Sequence, residues 1–414
     1  MTKVKKIKLA VDRLKPGIYV DLELPWKKHP FLFRRFTIKS ANDIEIIKKL
    51  GLTEVIVFPE QCKTEIPKEE VDQSSEAGTK EEMWEEKKKR IEEATRFRLK
   101  RLKQAKEYSE RVKKIKNFTR DLKSSPANAM RDAMEVADTM SIAFDKDSEV
   151  LINIVNFTDD SFTNHHHTLN VSVLTLSLAK GLGISSTELR QLCAGSILHD
   201  IGKSAVPYTI LTKRSPLTVS EKNLLNTHPS LGGSMVRNMK DVSMEITEVI
   251  EQHHEFIDGS GFPKGLAGDK ISQFARIVAI TNCYDNLCNP CEAKDALTPK
   301  TAMAVLYAKY KNKLDTGIVQ RFIHTMGVYP PGTVVSLSDD SIGLVTAVDS
   351  NALLQPQVLL YHPDLPRSEA LHIDLKLHSD ISITGALKPV DYPERIYDYL
   401  GIRERTAYFY EQLN

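Results

Sequence analysis

Seven of the chain's twelve histidines lie between residues 165 and 254, and several of them fall where helical apolar patterns point inward. Any fold open to this chain must bring those helices together and find partners for the buried imidazoles. His167 heads a ladder with Val171, Leu174 and Leu178, and His199 continues Leu189, Leu192 and Ser196, with Asp200 one step round the same helix. His253 and His254 lie four residues after Val249 and Ile250, Asp285 follows Val278 and Thr281 at helical spacing, and His228 follows a helix that begins near Thr218. One buried histidine is most often a satisfied core residue. Five histidines with two aspartates on core faces are hard to satisfy that way, because a buried carboxylate is costly unless it is paired or bound to metal. Divalent metal is the simplest account, and neutral imidazole with carboxylate suits first-row transition ions.

Adjacent pairs add geometry. Neighbouring residues on a helix point about 100° apart. His199-Asp200 can therefore offer one metal an imidazole and two metals a bridging carboxylate, while His253-His254 approaches a second ion from two directions. His167, His199, Asp200, His228, His253, His254 and Asp285 are about what two octahedral ions need once water and substrate complete the shells. Such a pair activates water at neutral pH and neutralises phosphate charge during an in-line displacement. Lys203, one helical turn beyond His199, is placed to hold a phosphate oxygen. Its bland alternative is a surface lysine just past Gly202.

The chain has 414 residues, which suggests more than one domain. Residues 1–65 read as a small α+β domain, with a helix over Ala41 to Leu50 closed by Gly51 and a strand over Thr53 to Phe58. Residues 66–124 read as a polar linker and a long charged helix. Its thin apolar stripe, Leu102, Ala105, Tyr108, Val112 and Ile115, needs a partner helix in this chain or in a second copy. Its basic run reads as a solvated face. Residues 125–325 read as a helical block with capping boxes at Ser185-Glu188 and Thr218-Glu221. Residues 326–414 read as a β-rich extension, with short strands at 333–337, 343–348 and 358–361. The class is mainly α. A formal charge of +2 demands no polyanionic partner. No apolar run approaches the ~20 residues of a membrane span, and no signal peptide is seen. The expected setting is cytoplasmic, and the five cysteines, Cys288-x-x-Cys291 among them, read as reduced and incidental.

These residues resemble a known family. His199-Asp200-Ile201-Gly202-Lys203 resembles the signature of HD-domain phosphohydrolases. The run from His253 to Pro263 resembles the second signature of the HD-GYP subfamily, and His228-Pro229-Ser230-Leu231-Gly232 and Arg276-Ile277-Val278-Ala279-Ile280 to Tyr284-Asp285 resemble two further elements in the right order. Leu14 to Val20, Trp26 and His29-Pro30-Phe31 look like the small domain often found ahead of HD-GYP domains, and Tyr329-Pro330-Pro331-Gly332 looks like the extension many of them carry. The resemblance implies hydrolysis of cyclic di-GMP, to the linear dinucleotide and on to GMP, or of cyclic GMP-AMP. It implies metal ions, often iron or manganese, held by the seven residues above, with Asp200 and Lys203 at the reaction. Nickel and zinc also suit these ligands.

Gly261, Phe262, Pro263 and Arg276 would then face substrate. Three departures matter. Phe262 stands where the subfamily has tyrosine, so the ring is kept and the hydroxyl lost. Thr163 stands where three-metal members carry glutamate, which favours two ions. The segment after Asp285 lacks the cation expected at Cys291, a part that Lys294 would take. That altered segment favours a rival reading, a nucleotide-binding signalling module with little turnover. An HD phosphohydrolase acting on another nucleotide is a third. No nucleic-acid polymer or membrane is expected as partner, and a homodimer would form through residues 81–116.

Overall fold

The computed structural model describes residues 6–24, 28–31, 34–66, 80–122, 124–145, 150–157, 164–213, 215–237, 239, 242–290, 295–349, 351–363, 365–367, 370–378, 381–388, 391–401 and 405–412. Trp26, Thr163 and 291–294, and with them Lys294, lie outside the described residues.

The N-terminal domain is a four-stranded antiparallel sheet in the order β1-β4-β2-β3. Its strands are β1 (Ile7–Ala10), β2 (Tyr19–Asp21), β3 (Arg35–Thr37) and β4 (Glu54–Val57), and one helix, α1 (Ala41–Lys49), covers it. Ser40 and Asp43 close α1 with a reciprocal capping box, and Ile44, Ile46 and Ile47 are buried in the domain's core. Gly51 takes the positive φ that ends such a helix, at +76°.

Helix α2 (Lys80–Asp121) is 42 residues long. The stripe finds its partner inside this chain: Tyr108, Val112, Ile115 and Phe118 are buried in one core with α3 (Pro126–Asp145) and α4 (Asn164–Gly181). Leu102, expected in that stripe, is instead 60% exposed, whereas Gln104 and Ala105 just after it are covered. Helix α4 is central, with its residues from His166 to Ala179 buried. Around it lie α5 (Ser186–Leu198), α6 (Tyr208–Leu211), α7 (Val219–Leu225), α8 (His228–Val236), α9 (Met244–Gln252), α10 (Gln273–Cys288), α11 (Pro299–Lys309) and α12 (Thr316–Met326). Both expected capping boxes form, at the starts of α5 and α7.

The β-rich extension is joined to the helical block more closely than the sequence reading expects. Strand β5 (Val150–Phe157) lies within residues read as helical and pairs with β11 (Arg405–Gln412) along its whole length. It also joins β7 (Ile342–Val348), in a sheet ordered β10-β6-β7-β5-β11. The other strands are β6 (Val334–Leu337), β8 (Gln357–Leu360), β9 (His372–Asp374) and β10 (Ile383–Ala386), and α13 (Glu394–Leu400) precedes β11.

Two glycines set the spacing that the site needs. A Cβ at Gly202 would lie 1.9 Å from the carbonyl oxygen of His228, and one at Gly232 would lie 3.1 Å from the nitrogen of Gly202. The turn after Asp200 and helix α8 therefore touch backbone to backbone, which brings Asp200 against His228. Gly202→Ala is expected to lower stability by about 2 kcal/mol, as overpacking does. The check is thermal melting of the purified variant, and an unchanged midpoint would contradict this packing.

Candidate metal centre

The site is assembled at helix ends. His199 follows the last residue of α5, His253 follows the last of α9, and His228 comes three residues after α7 ends. A helix C-terminus leaves carbonyls without helical donors and carries partial negative charge. Each imidazole uses one such carbonyl three residues back: His199 Nδ1 lies 2.7 Å from Ser196 O, His228 Nδ1 2.8 Å from Leu225 O, and His253 Nδ1 2.9 Å from Ile250 O. A carbonyl only accepts, so each Nδ1 carries the hydrogen and each Nε2 presents a lone pair. His167 reaches the same state differently, with Nδ1 2.6 Å from Asp285 Oδ2.

All four Nε2 atoms face one carboxylate. His167 and His199 lie 3.8 and 3.3 Å from Asp200 Oδ2, and His228 and His253 lie 3.2 and 3.7 Å from Oδ1. The ligand atoms fall into two groups, His167-His199-Asp200 and Asp200-His228-His253-His254, which share Asp200. The chemistry of the donors fits divalent metal. His167 Nε2, His199 Nε2 and Asp200 Oδ1 are buried without a hydrogen-bond partner. His228 Nε2 and His253 Nε2 face each other at 3.2 Å. Lone pairs opposed at that distance repel unless a cation lies near both.

Electrostatics agree. Burial lowers His253 to about 3 against the opposing pull of Asp200, and burial with His253 and His228 nearby holds His254 well below the ordinary histidine range. Both imidazoles are thereby neutral, the form that binds metal. Burial pushes Asp200 up, but the Lys203 ammonium beside it outweighs that and holds the carboxyl well below its ordinary range. Lys203 Nζ sits 2.6 Å from Asp200 Oδ2.

The remaining expected residues separate. Asp285 is brought to the cluster, yet outside both converging groups: Oδ2 accepts from His167, and Oδ1 accepts from Asn170 Nδ2 at 2.8 Å and Asn289 Nδ2 at 2.9 Å. Phe262 stacks on His254, with ring centroids 4.5 Å apart. Gly261 makes that possible, because a Cβ there would lie 2.5 Å from the carbonyl oxygen of His254. Pro263 continues the same loop. The guanidinium of Arg276, a residue expected at substrate, donates to Ile271 O, Gly268 O, Asp269 and Asp315, and so ties the 268–271 turn to the start of α12.

Sequence reasoning passed over Glu255 and Asn170. Glu255 is 2% exposed, and its two oxygens accept the backbone N–H groups of Lys264 and Leu266, pinning the loop that carries Phe262. An acid directly after two candidate ligands was the available signal. Asn170 sits one turn after His167 in an otherwise apolar ladder, a buried amide in need of partners.

Comparisons with known proteins agree with this architecture. Residues 149–318 match the HD domain family, and residues 6–133 match a domain of unknown function, DUF3391. The chain is 31% identical to a cyclic di-GMP phosphodiesterase of Pseudomonas aeruginosa over 60% of this chain and 59% of that protein. It is 35% identical to the cyclic di-GMP phosphodiesterase response regulator RpfG of Xanthomonas campestris pv. campestris over 35% of this chain and 39% of that one. A 3'3'-cGAMP-specific phosphodiesterase of Vibrio cholerae is 30% identical over 42% of this chain and 33% of its own. The matches thus span less than two thirds of these relatives.

The buried neutral imidazoles give the metal-free protein a pH dependence. An unfolded histidine takes up its proton near 6.5, whereas folded His253 does so only near 3. The unfolded state therefore binds more protons between those values, and stability that is full above 6.5 is lost as pH falls toward 3. Thermal midpoints of chelator-treated protein should fall between pH 7.5 and 4.5, with a shallower slope for His253→Gln. Equal slopes would contradict the burial of a neutral His253.

Proposed function

We propose, from the premise that the chain belongs to the HD-domain family, that it is a metal-dependent phosphodiesterase which opens the ring of cyclic di-GMP to the linear dinucleotide. The observation that carries this reading is the single carboxylate of Asp200 shared by two groups of imidazole lone pairs. His167, His199 and Asp200 would hold one divalent ion, and Asp200, His228, His253 and His254 the other, with Asp285 acting on the first through His167. Two ions so held supply water activation and charge neutralisation at a phosphate. Iron or manganese is the proposed pair, with nickel and zinc compatible with the same ligands.

The chain's own groups have definite tasks in this reading. Lys203 holds Asp200 in place and, with its side chain 27% exposed, can offer an ammonium to a non-bridging phosphate oxygen. Phe262, propped on His254 by the Glu255-anchored loop, supplies an aromatic wall for a base. Lys294 keeps its proposed place near the phosphates on sequence grounds. The final product would be GMP if the linear form is cut again.

Cyclic GMP-AMP is a second substrate reading, favoured by the similarity to a 3'3'-cGAMP-specific phosphodiesterase. The altered segment after Asp285 favours the third, a signalling module with weak turnover. No helix among the described residues is long and apolar enough to cross a membrane, and a cytoplasmic setting is proposed. Self-association through 81–116 would use Leu99 and Leu102, both exposed on α2.

The test is metal analysis of the purified protein, then incubation with each cyclic dinucleotide and chromatography of the products. Asp200→Ala is expected to abolish hydrolysis while the far-ultraviolet dichroism of the helices is kept. Turnover by Asp200→Ala, or by the parent in metal-free buffer, would contradict the mechanism. Lys203→Ala is expected to lower kcat by about 100-fold, the scale of losing one charge-stabilising donor, and to weaken metal binding far less. Parallel loss of both would reduce Lys203 to a structural role.

A further inference from the structure

A buried polar chain leads away from the metal centre and ends on elements outside the surrounding helices. Asp285 is fully buried, and its carboxylate touches His167 Nδ1 on one oxygen and Asn170 Nδ2 on the other. The amide of Asn170 is also fully buried. Its Oδ1 accepts the backbone N–H of Tyr408 at 2.9 Å and the hydroxyl of Tyr108 at 3.1 Å. The backbone N–H of Tyr408 can only donate, so the atom it meets must be the oxygen. This fixes the amide's orientation without appeal to the side chain itself. The nitrogen is then turned toward Asp285, which in turn holds the hydrogen on His167 Nδ1 and leaves Nε2 free for metal.

The two elements that set the amide have their own reasons to be there. Strand β11 ends the sheet order, so among the described residues one side of it has no neighbouring strand. At Tyr408 that side is taken up by a side chain of α4 rather than by another strand. Tyr108 lies on α2, fully buried, with its ring stacked on His166 at 5.9 Å. Neither α2 nor β11 contributes a residue to the two ligand groups.

We infer that Asn170 is a positioning residue for the metal centre: its amide, oriented by Tyr108 from α2 and by the backbone of Tyr408 from β11, holds Asp285 and through it His167. The seating of α2 and of the terminal strand thereby sets how well the first ion is held. This inference rests on the metal reading proposed above, and its test separates the two.

The test is titration of the chelator-treated full chain with Mn2+ by calorimetry, alongside thermal melting of the same metal-free samples. Asn170→Leu keeps the volume and removes the amide. Its Mn2+ affinity is expected to fall about 10- to 100-fold, the usual cost of losing a partner behind a ligating histidine. Tyr108→Phe keeps the stacked ring and removes only the hydroxyl, with an expected loss of about two- to tenfold. Leu176→Ala, a core truncation elsewhere on α4, is expected to lower the melting midpoint and leave Mn2+ affinity unchanged.

Parent-like affinity in Asn170→Leu, or in Tyr108→Phe should the first variant fail to fold, overturns the inference. So does equal weakening in Leu176→Ala, which would make the effect one of general stability. A parent chain that takes up no Mn2+ overturns the metal reading beneath it.

Discussion

The structure depends on one crowded arrangement: the Nε2 atoms of four buried imidazoles gathered around a single carboxylate. His228 Nε2 and His253 Nε2 face each other at 3.2 Å, and both have Nδ1 turned to a backbone carbonyl. Asp200 sits among four such nitrogens. Protonation would relieve the crowding, but burial keeps His253 and His254 neutral through the physiological range. Positive charge must come from elsewhere. Lys203 supplies part of it on the Oδ2 side, and divalent ions would supply the rest.

Much of the remaining fold reads as the means of holding that arrangement. Three helix ends supply the carbonyls that fix the tautomers, and their dipoles favour a cation at the same place. Gly202 and Gly232 let two backbones touch, so that Asp200 and His228 meet. Gly261 does the same under His254, and Glu255 ties down the loop above it. Beyond these, β11 and α2 meet α4 at Asn170, which joins them to Asp285. The N-terminal domain is built separately, on its own small core.

Local signals carried the sequence reading furthest. The ladder of Val171, Leu174 and Leu178 behind His167 marks a buried helix, and the caps at Ser185 and Thr218 mark helix starts, because both are set by residues three or four apart. The HD and HD-GYP resemblance, together with those ladders, placed Asp200 and all five histidines in one cluster. What was missed depends on contacts distant in sequence. Strand β5 is defined by β11, about 250 residues later, and lies between helices that set the expectation for its neighbourhood. Arg276 stands beside a signature element, and its contacts to Asp315 and the 268–271 turn join residues that are distant in sequence. Asp285 has the right type and spacing for a ligand, yet which atoms its oxygens meet depends on Asn170 and Asn289 folding against it. Leu102 fits the periodicity of α2 and is still exposed, since periodicity does not say where a partner helix ends.

Asp200 is the residue that two ions would share in the proposed centre, and spin coupling tests that sharing most directly. The chelator-treated protein would be loaded with Mn2+ to saturation and examined by electron paramagnetic resonance at low temperature. Two ions joined by one carboxylate should give an exchange-coupled spectrum at two equivalents per chain. The spectrum of isolated Mn2+ ions at full loading, or saturation at a single equivalent, would contradict a shared Asp200.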